Sequence, residues 1–134
     1  MAELIITGDV EGAAIAYLTA ELTSRGITAD VSVQVPDVMP AKMVRVSLTG
    51  GTRANVVTDR PQLTVECWAG STVEASELAR LCHGLMLAAG GTSAGGIWVR
   101  KVEEVGGVQF LPDPDTNSPK YLFTVRWHVR GTAF

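Results

Sequence analysis

The chain changes hydrophobic period several times, and the changes mark its elements. From Asp9 a helical spacing sets in, with Val10, Ala14, Tyr17, Leu18 and Leu22 on one stripe. Asp9 is a residue type that caps a helix start by accepting a free backbone amide. Arg25 stands where a cation favours a helix C-terminus, and Gly26 suits the left-handed conformation just past one. The pattern predicts a helix over residues 9–25.

From Asp30 the period becomes two, with Val31, Val33 and Val35 opposed to Ser32 and Gln34, until Pro36 removes a ladder donor. Met43 to Leu48 alternates again. It is expected to turn Val44, Val46 and Leu48 one way and Met43, Arg45 and Ser47 the other, before the turn-compatible Thr49-Gly50-Gly51-Thr52. Gln62 to Ala69 places Leu63, Val65, Cys67 and Ala69 opposite Thr64, Glu66 and Trp68.

Ser71 followed by Glu74 is a capping box and announces a second helix. Its stripe is Ala75, Leu78, Ala79, Cys82, Leu85, Met86 and Ala89, broad enough to cover a sheet, and Gly90-Gly91 ends it. Two further alternating runs, residues 97–105 and 121–130, complete the pattern.

The order α-β-β-β-α-β-β predicts an α+β fold in one domain, residues 1–134, with two helices packed on one face of a mainly antiparallel sheet. The other face keeps Arg45, Glu66, Arg126 and His128, as suits a sheet lying against water, a lumen or a neighbouring subunit. No internal repeat or low-complexity tract interrupts the chain.

Composition narrows the function classes. A 134-residue chain with 46% hydrophobic content can supply one core. Its 11 basic and 14 acidic residues give a formal charge of −3, which offers no global attraction to nucleic acid or an anionic membrane. Cys67 and Cys82 both fall in core-like segments, so neither a disulfide framework nor a metal clip is expected. No stretch approaches the roughly 20 apolar residues of a membrane helix, and the first residues lack the basic lead of a secretion signal.

Catalytic and cofactor chemistry finds little support. His83 and His128 have no cysteine or carboxylate at ligand spacing, so no metal is expected, and His83 is assigned to the exposed side of the second helix. The paired glycines at 50–51, 90–91, 95–96 and 106–107 are not followed by the Lys-Ser or Lys-Thr of a phosphate loop, and no GxSxG elbow occurs. Asp113 and Asp115 could in principle form a carboxylate pair. Their setting, Leu111-Pro112-Asp113-Pro114-Asp115-Thr116-Asn117-Ser118-Pro119, reads instead as a stiff turn. No cofactor is therefore expected, and no enzyme activity.

The remaining feature is a polar stretch, Arg53 to Pro61, expected to be a loop between two strands. Arg53, Asn55, Asp59 and Arg60 in it can make forked or charged contacts across an interface.

Several stretches together resemble one known family. Met43-Val44-Arg45-Val46 leading to Thr49-Gly50-Gly51, then Thr58-Asp59-Arg60-Pro61 before Leu63-Thr64-Val65-Glu66-Cys67-Trp68-Ala69, is similar to the tail terminators of long-tailed, siphovirus-type bacteriophages of the lambda-like kind. So is the end of the chain, where Leu111-Pro112-Asp113-Pro114-Asp115 precedes Pro119-Lys120-Tyr121, a final strand and Arg130-Gly131-Thr132-Ala133. The likeness runs from about residue 9 onward, and Lys120 stands where many relatives are expected to carry Arg.

The resemblance implies a structural virion protein of the tail and neck, assembled in the host cytoplasm. It would form a homo-oligomeric, hexameric ring that docks on the last ring of the major tail tube protein and stops polymerisation. The ring would also present a surface for head–tail joining to a connector or head-closure protein, while genomic DNA passes through the lumen without specific binding. Assembly contacts are expected at Arg53, Asn55, Asp59, Arg60, Asp113 and Asp115. Alanine at Arg53 or Arg60 is expected to weaken docking and leave the monomer folded. The alternatives are a head-closure or tail-completion protein of the same neck, a small ligand-binding regulatory domain with its site between helices and sheet, and an enzyme.

Overall fold

The computed structural model describes residues 4–133. The first helical stripe becomes α1 (Val10–Ser24), preceded by the two-residue strand β1 (Ile5–Ile6). Asp9 caps α1 through the Gly12 amide at 3.0 Å. At the other end the amides of Gly26 and Ile27 fold back onto the carbonyls of Thr23 and Leu22, and Gly26 takes a φ of 74°.

Beyond α1 come β2 (Asp30–Ser32), β3 (Lys42–Arg53) and β4 (Thr58–Ala69), then α2 (Thr72–Ala88). The capping box forms with a variation: the Ser71 oxygen accepts the Glu74 amide at 3.2 Å, and the Glu74 carboxylate takes the Ser71 hydroxyl at 3.3 Å. The chain ends with β5 (Thr92–Ala94), β6 (Ile97–Phe110), β7 (Lys120–Arg130) and β8 (Thr132–Ala133).

Six strands form one sheet in the order β2-β3-β4-β7-β6-β5. Every pairing is antiparallel except β2 with β3, which is parallel. The expected α+β architecture is present, with a mixed rather than purely antiparallel sheet. β1 and β8 pair separately.

Alternation along the central strands sends Val44, Val46, Leu63, Val65, Cys67, Phe123, Val125 and Trp127 to the helix-covered face, where α1 contributes Ala14, Leu18 and Leu22 and α2 contributes Leu78, Cys82 and Met86. All of these are at most 4% exposed. Burying Leu18 and Leu22 fully stabilises the fold by about 1.5–3 kcal/mol per side chain before entropy is counted. Two hydrogen bonds tie the helices down: Tyr17 donates its hydroxyl to the Leu85 carbonyl at 2.6 Å, and Trp127 donates its indole N–H to the Met86 carbonyl at 3.3 Å.

Several sequence expectations need correction. The strand expected over 30–35 stops at Ser32, the partner of Arg45; the Val33 carbonyl accepts from the Arg45 side chain at 3.2 Å instead of a ladder amide, and Val33 and Val35 are 39% and 38% exposed. β3 and β4 both run several residues further than expected. The supposed loop from Arg53 to Pro61 therefore shrinks to a turn at 54–57, with Arg53 in β3 and Asp59, Arg60 and Pro61 in β4. A register shift between Leu48 and Gly51 carries this arm away from the core and leaves Leu48 half exposed rather than buried. The Leu48 amide is bound there by the Glu11 carboxylate of α1 at 2.7 Å.

Met43 was expected on a polar face and is fully buried. It pairs with Trp68 across β3 and β4, on the side away from the helices. β6 absorbs Gly106 and Gly107 with register shifts and extends to Phe110.

Candidate functional site

The sheet face away from the helices is laced by ion pairs and hydroxyl contacts. Glu66, at the middle of it, lies 3.5 Å from Arg45 on β3 and 2.9 Å from the Lys120 ammonium on β7. Lys120 also stands 5.3 Å above the Trp68 ring. Thr64 and Thr124 meet at 3.1 Å, and Arg126 donates to Gln62 at 3.1 Å.

Glu103 on β6 pairs with His128, whose ring is nearly buried. That hydrogen bond, reinforced by Arg126 and Lys101 nearby, holds the Glu103 carboxyl below its ordinary value. Glu104, pointing the other way, reaches His83 of α2 at 2.5 Å, and the His83 ring packs edge-on against Phe123 at 5.1 Å. His83 thus lies against the sheet, not on the exposed side of its helix. The carboxylate partner that sequence spacing did not offer comes from a neighbouring strand 21 positions away.

The expected contact residues separate into two groups. Arg53, Asn55, Asp59 and Arg60 come together at the tip of the β3–β4 hairpin. Arg53 pairs through Nε with Asp59 Oδ1 at 3.0 Å and donates to the Ile5 carbonyl at 2.8 Å. Asn55 Oδ1 accepts the Val57 and Thr58 amides, both at 3.0 Å, and so shapes the turn. Arg60 reaches Thr52 Oγ1 at 2.9 Å. Gly51 makes the arm possible: its φ is 106°, and a Cβ there would lie 2.1 Å from the Arg60 carbonyl oxygen. These polar groups are already engaged within the chain, and an open depression of about 310 Å³ beside them is lined by Arg53, Asp59, Arg60 and their neighbours.

Asp113 and Asp115 sit at the far end of the sheet, in the turn joining β6 to β7. Asp113 Oδ1 accepts the Asp115 amide at 2.9 Å and the Thr116 amide at 3.3 Å, and Asn117 closes the turn with a φ of 56°. The Asp115 amide is the main reason the Asp113 carboxyl is held below its ordinary value, with Thr116 and the Lys120 charge adding to it. The two aspartates are consecutive parts of one turn with different jobs. Asp113 builds it, whereas the exposed Asp115 carboxylate has no hydrogen-bonding or ionic partner among the described residues. Because β4 and β7 run antiparallel over their whole shared length, this turn and the hairpin tip lie roughly 35 Å apart.

A third locus was missed by sequence reading. Next to the hairpin tip, a cavity of about 340 Å³ is lined by Val57, Thr58, Trp98, Arg100, Val129 and Arg130. Trp98 is 55% exposed, and its alternation with Val99 in the sequence hinted at an outward-facing tryptophan. The register shift between Val99 and Lys101 was not legible, and that shift puts Arg100 at a bulge beside it.

Among the described residues no group of three metal-ligating side chains occurs, and no helix is long and apolar enough to cross a membrane. Cys67 and Cys82 are free and buried, and burial pushes the Cys67 thiol well above its ordinary value, which makes it a poor nucleophile. No protein-family model matches the chain, and no curated protein sequence matches it.

Proposed function

We propose that this protein is a phage tail terminator: a ring-forming structural subunit that caps the tail tube, stops its polymerisation and offers a surface for head–tail joining. One observation carries the reading. The stretches on which the sequence likeness rests are far apart in the chain yet adjoin in the fold. Trp68, at the end of the Leu63–Ala69 strand, is the register partner of Lys120, which follows the Pro-Asp-Pro turn. Lys120 lies over the Trp68 ring and pairs with Glu66 of the same strand. The Thr58-Asp59-Arg60-Pro61 stretch opens that strand, and the capped α2 follows it. The likeness thus describes one connected piece of tertiary structure.

The distribution of polar groups favours assembly over catalysis. The titratable side chains of the sheet face are paired with one another, and two open depressions of the surface lie together at one end of the sheet, beside the β3–β4 tip. In this reading copies of the chain contact each other head to tail in a hexameric ring, located in the virion after assembly in the host cytoplasm. A rotation that closes gives a ring, and one that does not gives a filament. The partners are the major tail tube protein on one side and a connector or head-closure protein on the other, with genomic DNA passing through the lumen.

The test is to polymerise the cognate tube protein with and without this chain. Tubes of limited length bearing an extra end density support termination. Unchanged tubes, together with binding to filled heads, point to a head-closure protein.

A further inference from the structure

We propose that the cavity formed by Trp98, Arg100 and Arg130 is a socket for the Asp113-Pro114-Asp115 turn of a second copy of this chain. The contact rests on the ring-forming reading and specifies how neighbouring subunits engage.

The socket combines features that mark binding centres. Trp98 is exposed, and Arg100 and Arg130 line the same cavity without a carboxylate partner among the described residues. Tryptophan and arginine are the residue types most enriched among energetically dominant interface positions. Val57, 43% exposed, adds an apolar wall from the β3–β4 turn.

The occupant follows from complementarity. Asp115 is an exposed carboxylate on a turn that Pro114 and the Asp113 hydrogen bonds hold in one shape, so little freedom is lost when it docks. Leu111, at the base of the same turn, is 51% exposed and matches the apolar part of the socket. Position matters equally. The socket is at the start of β6 and the turn is just past its end, roughly 40 Å away along the strand. The two surfaces therefore cannot meet within one subunit, and pairing the socket of one copy with the turn of the next is the head-to-tail contact from which a ring is built.

A nucleic-acid strand is the rival occupant. Two guanidiniums on a chain of net charge −3 fall well short of the phosphate contacts that sustain such binding.

The experiment uses the full chain carrying charge reversals at exposed positions. Arg100→Glu combined with Arg130→Glu, and separately Asp115→Lys, are compared with wild type by sedimentation velocity, with urea midpoints confirming that each variant is folded. Each variant is expected to weaken self-association by about tenfold or more, because like charges then face each other. Mixing the two variants is expected to restore pairing, since the acidic turn of the first fits the cationic socket of the second. If wild type is monomeric in solution, the same variants are scored on the ends of tail tubes.

Undiminished association or capping by both folded variants overturns the contact while leaving the terminator reading in place. Wild type that associates through this socket yet leaves tubes uncapped overturns the terminator reading alone. Wild type that neither associates nor caps overturns both. Binding of a fluorescent DNA duplex that the arginine reversals abolish, with self-association unchanged, replaces the subunit contact by a nucleic-acid one.

Discussion

Arg53 and Asp59 face each other across the β3–β4 ladder, Nε to Oδ1 at 3.0 Å, and the Asp59 side chain is only 8% exposed. Asp59 Oδ2 already lacks a hydrogen-bond partner among the described residues. Arg53 thus compensates a nearly buried charge and also ties the arm to β1 through the Ile5 carbonyl.

Arg53→Ala is therefore expected to destabilise the protein by about 2 kcal/mol, because it strands a carboxylate that is largely out of water. Arg60→Ala removes hydrogen bonds to Thr52 from a more solvated position and is expected to cost less than about 1 kcal/mol. Urea unfolding followed by circular dichroism separates the two. Both variants are expected to stay folded, and Arg60→Ala, the less destabilised of the two, is the cleaner probe of docking by the arm.

Two glycines with positive φ should respond differently to alanine. Gly95 has a φ of 56°, and a Cβ there would lie 2.1 Å from the Ala13 carbonyl oxygen of α1; at Gly26, with a φ of 74°, nothing lies within 4 Å. Gly95→Ala is expected to cost more than about 2 kcal/mol, since backbone strain adds to a clash that no side chain can relieve. Gly26→Ala is expected to cost about 1 kcal/mol from the left-handed backbone alone. Equal urea midpoints for the two variants would contradict the packing of β5 and its turn against α1.

The helix cap and the core give a third pair of expectations. Ser71→Ala removes the acceptor for the Glu74 amide and should cost about 1 kcal/mol. Leu63→Ala, at a fully buried core position on β4, should cost about 3 kcal/mol. Thermal unfolding monitored by calorimetry ranks them.

Stability is expected to fall on acidification through two named carboxyls. Glu103, bonded by His128, and Asp113, bonded by the Asp115 amide, both release protons more readily in the fold than at their ordinary values of 4.5 and 3.8. Their contributions are complete above those values and are lost as pH falls through the lower folded ones. Glu103→Gln and Asp113→Asn should each flatten the decline of the urea midpoint below about pH 4.5, an effect absent at pH 7. A decline of unchanged steepness in both variants would contradict the two hydrogen-bonding arrangements.

Where hydrophobic period and capping chemistry agreed, the sequence was readable. The α1 boundaries follow from Asp9 and Gly26, the α2 start follows from Ser71, and alternation grouped Leu63, Val65 and Cys67 on the one face that the core occupies. Period could not show how far a strand pairs beyond the core. The polar ends of β3 and β4 look like a loop because Arg53, Asp59 and Arg60 have no apolar face to bury, yet their backbones continue the ladder.

Long-range partners were invisible for the same reason. Nothing in the spacing of His83 indicates Glu104, and nothing around Met43 indicates the Trp68 that shares its burial. β5 was missed because Thr92–Ala94 is three residues between glycines, too short to establish a period. Of the candidate contact residues, sequence found the polar side chains but could not tell occupied ones such as Asn55 from an unengaged one such as Asp115. That distinction depends on which backbone amides the turn brings within reach.

Capping of phage tail tubes is the activity proposed for this chain. Negative-stain imaging of cognate tube protein polymerised with and without it is the decisive experiment, scoring tube length and the density at each end. Capped tubes of limited length are the expected result, whereas tubes of unchanged length with bare ends would contradict it.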